Sequence, residues 1–244
     1  MFTENQLSEI KKLISPEKKV VIITHYNPDG DAIGSALGLK HFLNNMGVEP
    51  TVLAPNDFPK FLKWMPDAKK VVIAEYKRKT AGEAIYKADV IFCLDFNAHN
   101  RIGILGDWLM KSWAKKILID HHQQPEDFDY VYSDVTIPAT CQMVYHFIEA
   151  LGREDLVDQN VAECLYTGIM TDTGGFRFRS TSATTHRIVA NLIEKGANPA
   201  MITSNTWDTN SVSRLHLLSL ILGRIELVKD GKVAVLYLKR EELK

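Results

Sequence analysis

"VVIITHYNPDGDAIGSALGLKHFL", residues 20–43, joins an apolar run to a histidine and two aspartates and then to a segment of helical period. Val20 to Ile23 is a β-branched run of the kind buried on both faces of a parallel sheet. Pro28, Asp29 and Gly30 are turn formers, and Ala32, Ile33, Ala36, Leu37, Leu39 and Leu43 resume with helical spacing. The stretch reads as strand, turn and helix, with His25, Asp29 and Asp31 at the rim of a sheet. Taken alone, it is equally well explained by one Asp capping the helix and the other shaping the turn.

Working outward, strand-like runs recur at Val20 to Thr24, Thr51 to Ala54, Val71 to Ala74, Val90 to Asp95 and Ile117 to Asp120. Between several of them lie helical patterns such as "GSALGLKHFLNNMG" and "NRIGILGDWLMKSWA". This alternation predicts an α/β fold, a mostly parallel sheet flanked by helices. After Ile119 the pattern is mostly helical, in "TCQMVYHFIEALG", "QNVAECLYTGIMT" and "SATTHRIVANLIEKG". Residues 212–222 predict one more helix, and "RIELVKDGKVAVLYLKR" predicts a hairpin closed at Asp230-Gly231. One helix and one hairpin cannot bury both of their faces alone. The expected organisation is therefore a domain over 1–202, a linker over 203–212, and over 213–244 the beginning of a smaller C-terminal α/β accessory domain inside which the chain stops.

The 244 residues, 45% hydrophobic, suffice for such a core and argue against disorder. With 29 Lys+Arg against 30 Asp+Glu the formal charge is −1, which leaves no global footprint for long duplex nucleic acid but leaves room for a local site for a small anion. Cys93, Cys141 and Cys164 are scattered in apolar surroundings and read as reduced core residues. The N-terminal segment has amphipathic spacing and early acids rather than the regions of a signal peptide, and no apolar window reaches the length of a membrane span. The expectation is a cytoplasmic protein without membrane contact, its oligomeric state left open.

Two further predicted strands end on the same chemistry as the first. Asp95 follows Val90 to Leu94, and Asp120, His121 and His122 follow Ile117 to Ile119. Asp172, in "GIMTDTGGF", closes an apolar helical stretch before a glycine pair. Each has an ordinary explanation as a cap, turn or solvated residue, but the fold gathers them on the carboxyl rim of one sheet, where ligands bind in open parallel sheets. Carboxylates so gathered repel and call for cations. Mixed carboxylate and imidazole donors without thiolates suit Mn²⁺, ahead of Mg²⁺ or Zn²⁺. About six donors are too many for one ion; two ions roughly 3.5–4 Å apart would activate a water and clamp phosphate oxygens.

Local substrate signals are weaker. Ser35 would fall on the first turn of the helix after Asp31, where an anion is received. Arg101 follows Asp95 by six residues and is nearly as well explained by the surface. In "GGFRFRSTSATTH" a base could stack on Phe176 or Phe178 while Arg177 or Arg179 meets phosphate. The residues themselves favour an alternating strand with Phe inward and Arg in water.

The motifs "DGD" at 29–31, Asp95, "DHH" at 120–122 and Asp172, in this order, resemble the four motifs of the DHH phosphoesterase family, over roughly residues 15–190. "THYNPDGDAIGS" and "TDTGGFRFRSTS" resemble most its branch of nanoRNases, which degrade short oligoribonucleotides and remove the 3′-phosphate of 3′-phosphoadenosine 5′-phosphate. The resemblance implies that His25 and Asp29 hold one ion, Asp31, His121 and Asp172 the other, and that Asp95 bridges. It implies His122 beside the reacting phosphate, with Asp120 orienting the histidine pair. The partners implied are short RNA or small phosphorylated nucleotides. A cyclic-dinucleotide phosphodiesterase is the near alternative, and a non-catalytic nucleotide-binding protein the distant one. The glycine-rich, His-containing motif with which the family's accessory domain grips substrate has no counterpart here.

Overall fold

The computed structural model describes residues 2–243; Met1 and Lys244, the outer bounds of the two expected domains, lie outside the described residues. Helix α1 (Glu4–Leu13) is held by a capping box in which Thr3 and Gln6 satisfy each other's backbone N–H. The decisive stretch then forms β1 (Val20–Ile23), buried at all four positions, and α2 (Gly30–Asn45). The chain continues through β2 (Thr51–Ala54), β3 (Val72–Ile73), α3 (Arg78–Lys87), β4 (Val90–Leu94), α4 (Ile104–Lys111), β5 (Lys115–Asp120) and β6 (Tyr130–Ser133). Four helices follow: α5 (Thr140–Leu151), α6 (Gln159–Asp172), α7 (Ala183–Glu194) and α8 (Pro199–Trp207).

All six strands are parallel, in the order β3-β2-β1-β4-β5-β6. The chain builds outward from β1 in one direction and from β4 in the other. The switch in strand order thus falls between β1 and β4, where a crevice opens at the carboxyl ends. Alternate strand residues serve two cores, as the two-residue period of a strand requires. Val20, Ile22, Phe92, Ile117 and Ile119 pack under α2, α5 and α6, while Val21, Ile23, Ile91, Cys93 and Leu118 meet the side chains of α3 and α4.

Helices α2 and α6 touch backbone to backbone. A Cβ on Gly34 would stand 2.6 Å from the Cys164 carbonyl oxygen, and one on Gly168 would overlap Cys141 Sγ and come within 2.9 Å of Asp31 Oδ1. This close approach, which only glycine allows, sets the end of α6 beside the start of α2.

Several elements differ from the sequence reading. β3 is two residues long, and β6 is an edge strand with no strong apolar pattern to announce it. Helix α3, "RKTAGEAIYK", buries only Ala81 and Ile85, too thin a stripe to read. The helical pattern over 100–114 resolves into a 3₁₀ turn, His99–Ile102, followed by the shorter α4. The expected alternating strand after Asp172 is a series of turns instead. Gly174, Gly175 and Phe176 all take positive φ, which breaks any strand; Phe176 packs on Tyr166 and His186, and Phe178 is 56% exposed. Residues 203–207, expected within a linker, belong to α8.

The chain divides into two compact units, Met1–Ile202 and Thr203–Lys244. The second contains α9 (Val212–Leu222), capped by the Ser211 hydroxyl, and the antiparallel hairpin of β7 (Glu226–Val228) and β8 (Val233–Val235). Lys229, Asp230 and Gly231 take positive φ in its loop, and Arg224 donates two 2.6 Å hydrogen bonds to Glu242. Its apolar residues, among them Leu215, Leu218, Leu222 and Leu227, stay exposed. Among the described residues no helix is long and apolar enough to cross a membrane.

Candidate metal centre

Each rim residue is aimed by local structure. Asp29 is the N-cap of α2: its Oδ1 accepts from the Asp31 and Ala32 N–H groups at 3.0 Å each, while its Oδ2 lies 3.9 Å from His25 Nε2. The cap and the approach to His25 use opposite oxygens of one carboxylate. His25 Nδ1 donates to the Tyr26 carbonyl at 2.8 Å, and His121 Nδ1 to the Ile137 carbonyl at 3.3 Å. In both, the tautomer is fixed by the backbone and Nε2 is turned into the cluster, the arrangement metal-binding histidines use.

Asp95 lies between them. It follows β4 with φ 65°, in the left-handed region that Asp tolerates better than most side chains, and is 2% exposed. Its Oδ2 is 3.5 Å from His25 Nε2 and its Oδ1 3.4 Å from His121 Nε2. His121 Nε2 is also 3.5 Å from Asp172 Oδ2 and 4.0 Å from Asp31 Oδ2. Three overlapping groups with donor atoms within 4.8 Å of one another result: His25, Asp29 and Asp95; Asp31, His121 and Asp172; Asp95, His121 and His122.

Asp31 is fully buried and serves a second helix. Ala139, the N-cap of α5, has no side-chain oxygen to offer, and the first N–H groups of that helix turn to Asp31 instead. Thr140 N–H donates to its Oδ2 at 2.5 Å and Cys141 N–H to its Oδ1 at 2.8 Å. The Thr140 hydroxyl, also fully buried, donates to Asp95 Oδ1 at 2.8 Å. Sequence reasoning missed Thr140, because neither a cap motif nor a titratable group marks it.

The electrostatics are those of a buried cluster of acids and imidazoles. Burial and the neighbouring Asp95 push the Asp31 carboxyl well above the usual range, and burial together with Asp31, Asp95 and Asp29 lifts Asp172 to about 9. Burial alone would depress the histidines, but hydrogen bonds to Asp29 and Asp95 raise His25 to about 10, and those to Asp95 raise His121 to about 9. Burial works against ionisation of Asp95, yet His121 and His25 hold it well below the ordinary value. Among the described residues no Lys or Arg pairs with these carboxylates. Without metal, protons on imidazoles and acids do the neutralising; oxygen and Nε2 donors in this arrangement fit divalent cations.

Of the remaining sequence candidates, Asp120 is buried at the end of β5 with Oδ1 2.7 Å from His122 Nδ1. Ser35 is fully buried inside α2 and donates to the Ala32 carbonyl, so the expected anion-receiving role is not open to it. Arg101 is exposed in the turn after β4, its carbonyl accepting from Tyr26 N–H. Arg177 is exposed, its Nε donating to the Gly174 carbonyl at 2.6 Å. A hollow of about 490 Å³ lies at the other end of the strands, lined by Lys18, Lys19 and Thr51. The cluster of aspartates and histidines lies at the opposite, carboxyl rim.

A parallel sheet whose switch point carries aspartates and histidines defines the class, and the comparisons give the family. The chain belongs to the DHH family, whose N-terminal domain matches residues 19–169. It is 34% identical over 199 residues to the bifunctional oligoribonuclease and PAP phosphatase NrnA of Thermus thermophilus, covering 81% of this chain and 56% of that protein. It is 25% identical over 185 residues to the cyclic-di-AMP phosphodiesterase PdeA of Listeria monocytogenes, covering 72% of this chain and 28% of that one. A crystal structure of an exopolyphosphatase-related protein from Bacteroides fragilis superposes with TM-score 0.95 at 39% identity, covering 98% of this chain and 71% of that one. The chain thus spans about half the length of the Thermus relative.

Proposed function

We propose that this chain carries the catalytic centre of a phosphoesterase that hydrolyses very short RNA and removes the 3′-phosphate of 3′-phosphoadenosine 5′-phosphate with two divalent cations, Mn²⁺ first and Mg²⁺ as the alternative. The observation that carries the reading is Asp95, whose two oxygens face two separate donor sets. His25, Asp29 and Asp95 Oδ2 would hold one cation; Asp31, His121, Asp172 and Asp95 Oδ1 would hold the other. Bound cations would supply an activated water and neutralise charge on the phosphate under attack. His122, with Nδ1–H donated to Asp120, has Nε2 left to hold a proton for the departing oxygen. The rim turns bearing Arg101 and Arg177 offer guanidinium groups to the remaining phosphate charge.

A second reading, cleavage of cyclic dinucleotides, is favoured by the resemblance to PdeA. The complete ligand set speaks against a non-catalytic nucleotide binder. The test is a Mn²⁺-supplemented assay on a dinucleotide RNA, 3′-phosphoadenosine 5′-phosphate, a cyclic dinucleotide and pyrophosphate. Turnover of the first two is expected to exceed the others; preference for the cyclic dinucleotide would replace the first reading with the second.

A further inference from the structure

Thr140 touches both carboxylates that the two donor sets depend on, and it touches them on one side only. Its N–H meets Asp31 Oδ2, and its hydroxyl meets Asp95 Oδ1. Asp95 Oδ1 faces His121, whereas Asp95 Oδ2 faces His25. Every polar contact of Thr140 with the cluster therefore falls in the half built by Asp31, His121 and Asp172.

Packing fixes the group in that role. The side chain is fully buried at the first position of α5, and the helix carrying it is anchored through Asp31, which accepts its Thr140 and Cys141 N–H groups. Gly168, without a Cβ, lets α6 pack against both Cys141 and Asp31. A hydroxyl proton on one face of Asp95 Oδ1 restricts where that oxygen's other lone pair points.

We infer that Thr140 is a positioning residue that selectively sets one of the two cation positions, the one formed by Asp31, His121, Asp172 and Asp95 Oδ1, by orienting both aspartates. The inference rests on the proposed two-cation centre. The hydroxyl and the N–H contribute separately: Thr140→Val removes the first and keeps the second along with the shape, and Thr140→Ser restores the hydroxyl.

The experiment is a calorimetric Mn²⁺ titration of the metal-free chain and of Thr140→Val, Thr140→Ala and Thr140→Ser, with a thermal melt of each. Partners that orient a metal's ligands are worth about 10- to 100-fold in affinity. One of the two Mn²⁺ sites should weaken by about that factor in Val and Ala, the other should hold, and Ser should return both to the wild-type values. In turnover, kcat should fall in Val with little change in KM, and Ser should recover it. Two unchanged affinities in Val and Ala, or equal weakening of both sites together with a lowered Tm, would overturn the selective role. If the wild-type chain binds fewer than two Mn²⁺, the two-cation reading fails and this inference with it. Wild type binding two and Thr140→Val behaving identically sinks the inference alone.

Discussion

The Nδ1 of His122 lies 2.7 Å from Oδ1 of Asp120, and Asp120 is buried completely while the imidazole is about one-third exposed. A buried carboxylate thus fixes the tautomer of a solvent-facing histidine and frees its Nε2. Asp120→Asn keeps the shape but lets the amide present either face to Nδ1. We expect kcat to fall about 10- to 100-fold with Mn²⁺ affinity nearly unchanged. Steady-state kinetics beside a Mn²⁺ titration check this; a loss confined to metal binding would make Asp120 a support of His121 instead.

Asp95 belongs to two of the three donor groups, one with His25 and Asp29 and one with His121 and His122. Asn is the cleaner replacement than Ala, because it too tolerates the left-handed backbone at φ 65° and isolates the loss of charge. Asp95→Asn should lower turnover by at least about 10³-fold, since neither a bridge nor its charge remains for the two cations. The number of tightly bound Mn²⁺ should fall below two. Near-normal activity would remove Asp95 from the centre.

The cluster's protons make stability depend on pH. His25 and His121 are raised above the ordinary 6.5, to about 10 and about 9, so the stability they lend the metal-free protein is complete below pH 6.5 and lost as pH rises through those values. Asp172, raised from 3.8 to about 9, adds a loss of the same sign between those limits. The Tm of the metal-free chain should therefore decline from pH 6.5 to pH 9, and saturating Mn²⁺ should flatten the decline. Metal binding at neutral pH should also release protons, measurable by calorimetry in buffers of different ionisation enthalpy. A metal-free Tm that rises across this window would contradict the arrangement.

Gly34 faces the Cys164 carbonyl, and a methyl at 2.6 Å from that backbone oxygen forces α2 and α6 apart. Gly34→Ala should cost about 1–3 kcal/mol by overpacking, read by urea unfolding. Because α6 carries Asp172 and α2 carries Asp31, weaker Mn²⁺ binding should accompany the lost stability. Gly152, where an added Cβ meets nothing within 4 Å, is the control for space, though its φ of 67° leaves Ala strained there too.

What the sequence determined is local and periodic. The β-branched run at 20–23, the turn formers after it and the helical spacing beyond are short-range signals, and they sufficed to place His25, Asp29 and Asp31 at a strand end. The same held for Asp95, for the pair His121 and His122, and for Asp172 at a helix end. The weakly amphipathic α3, the edge strand β6 and the turns after Asp172 were illegible because their burial is slight or their backbone is set by packing. Tertiary structure alone decided which oxygen faces which neighbour. Asp29 divides its oxygens between cap and cluster, Asp95 between His25 and His121, and Asp31 caps a helix more than a hundred residues away. Thr140 became visible only there, because its importance comes from a close helix crossing that two glycines permit, and no spacing along the chain encodes a contact made across it.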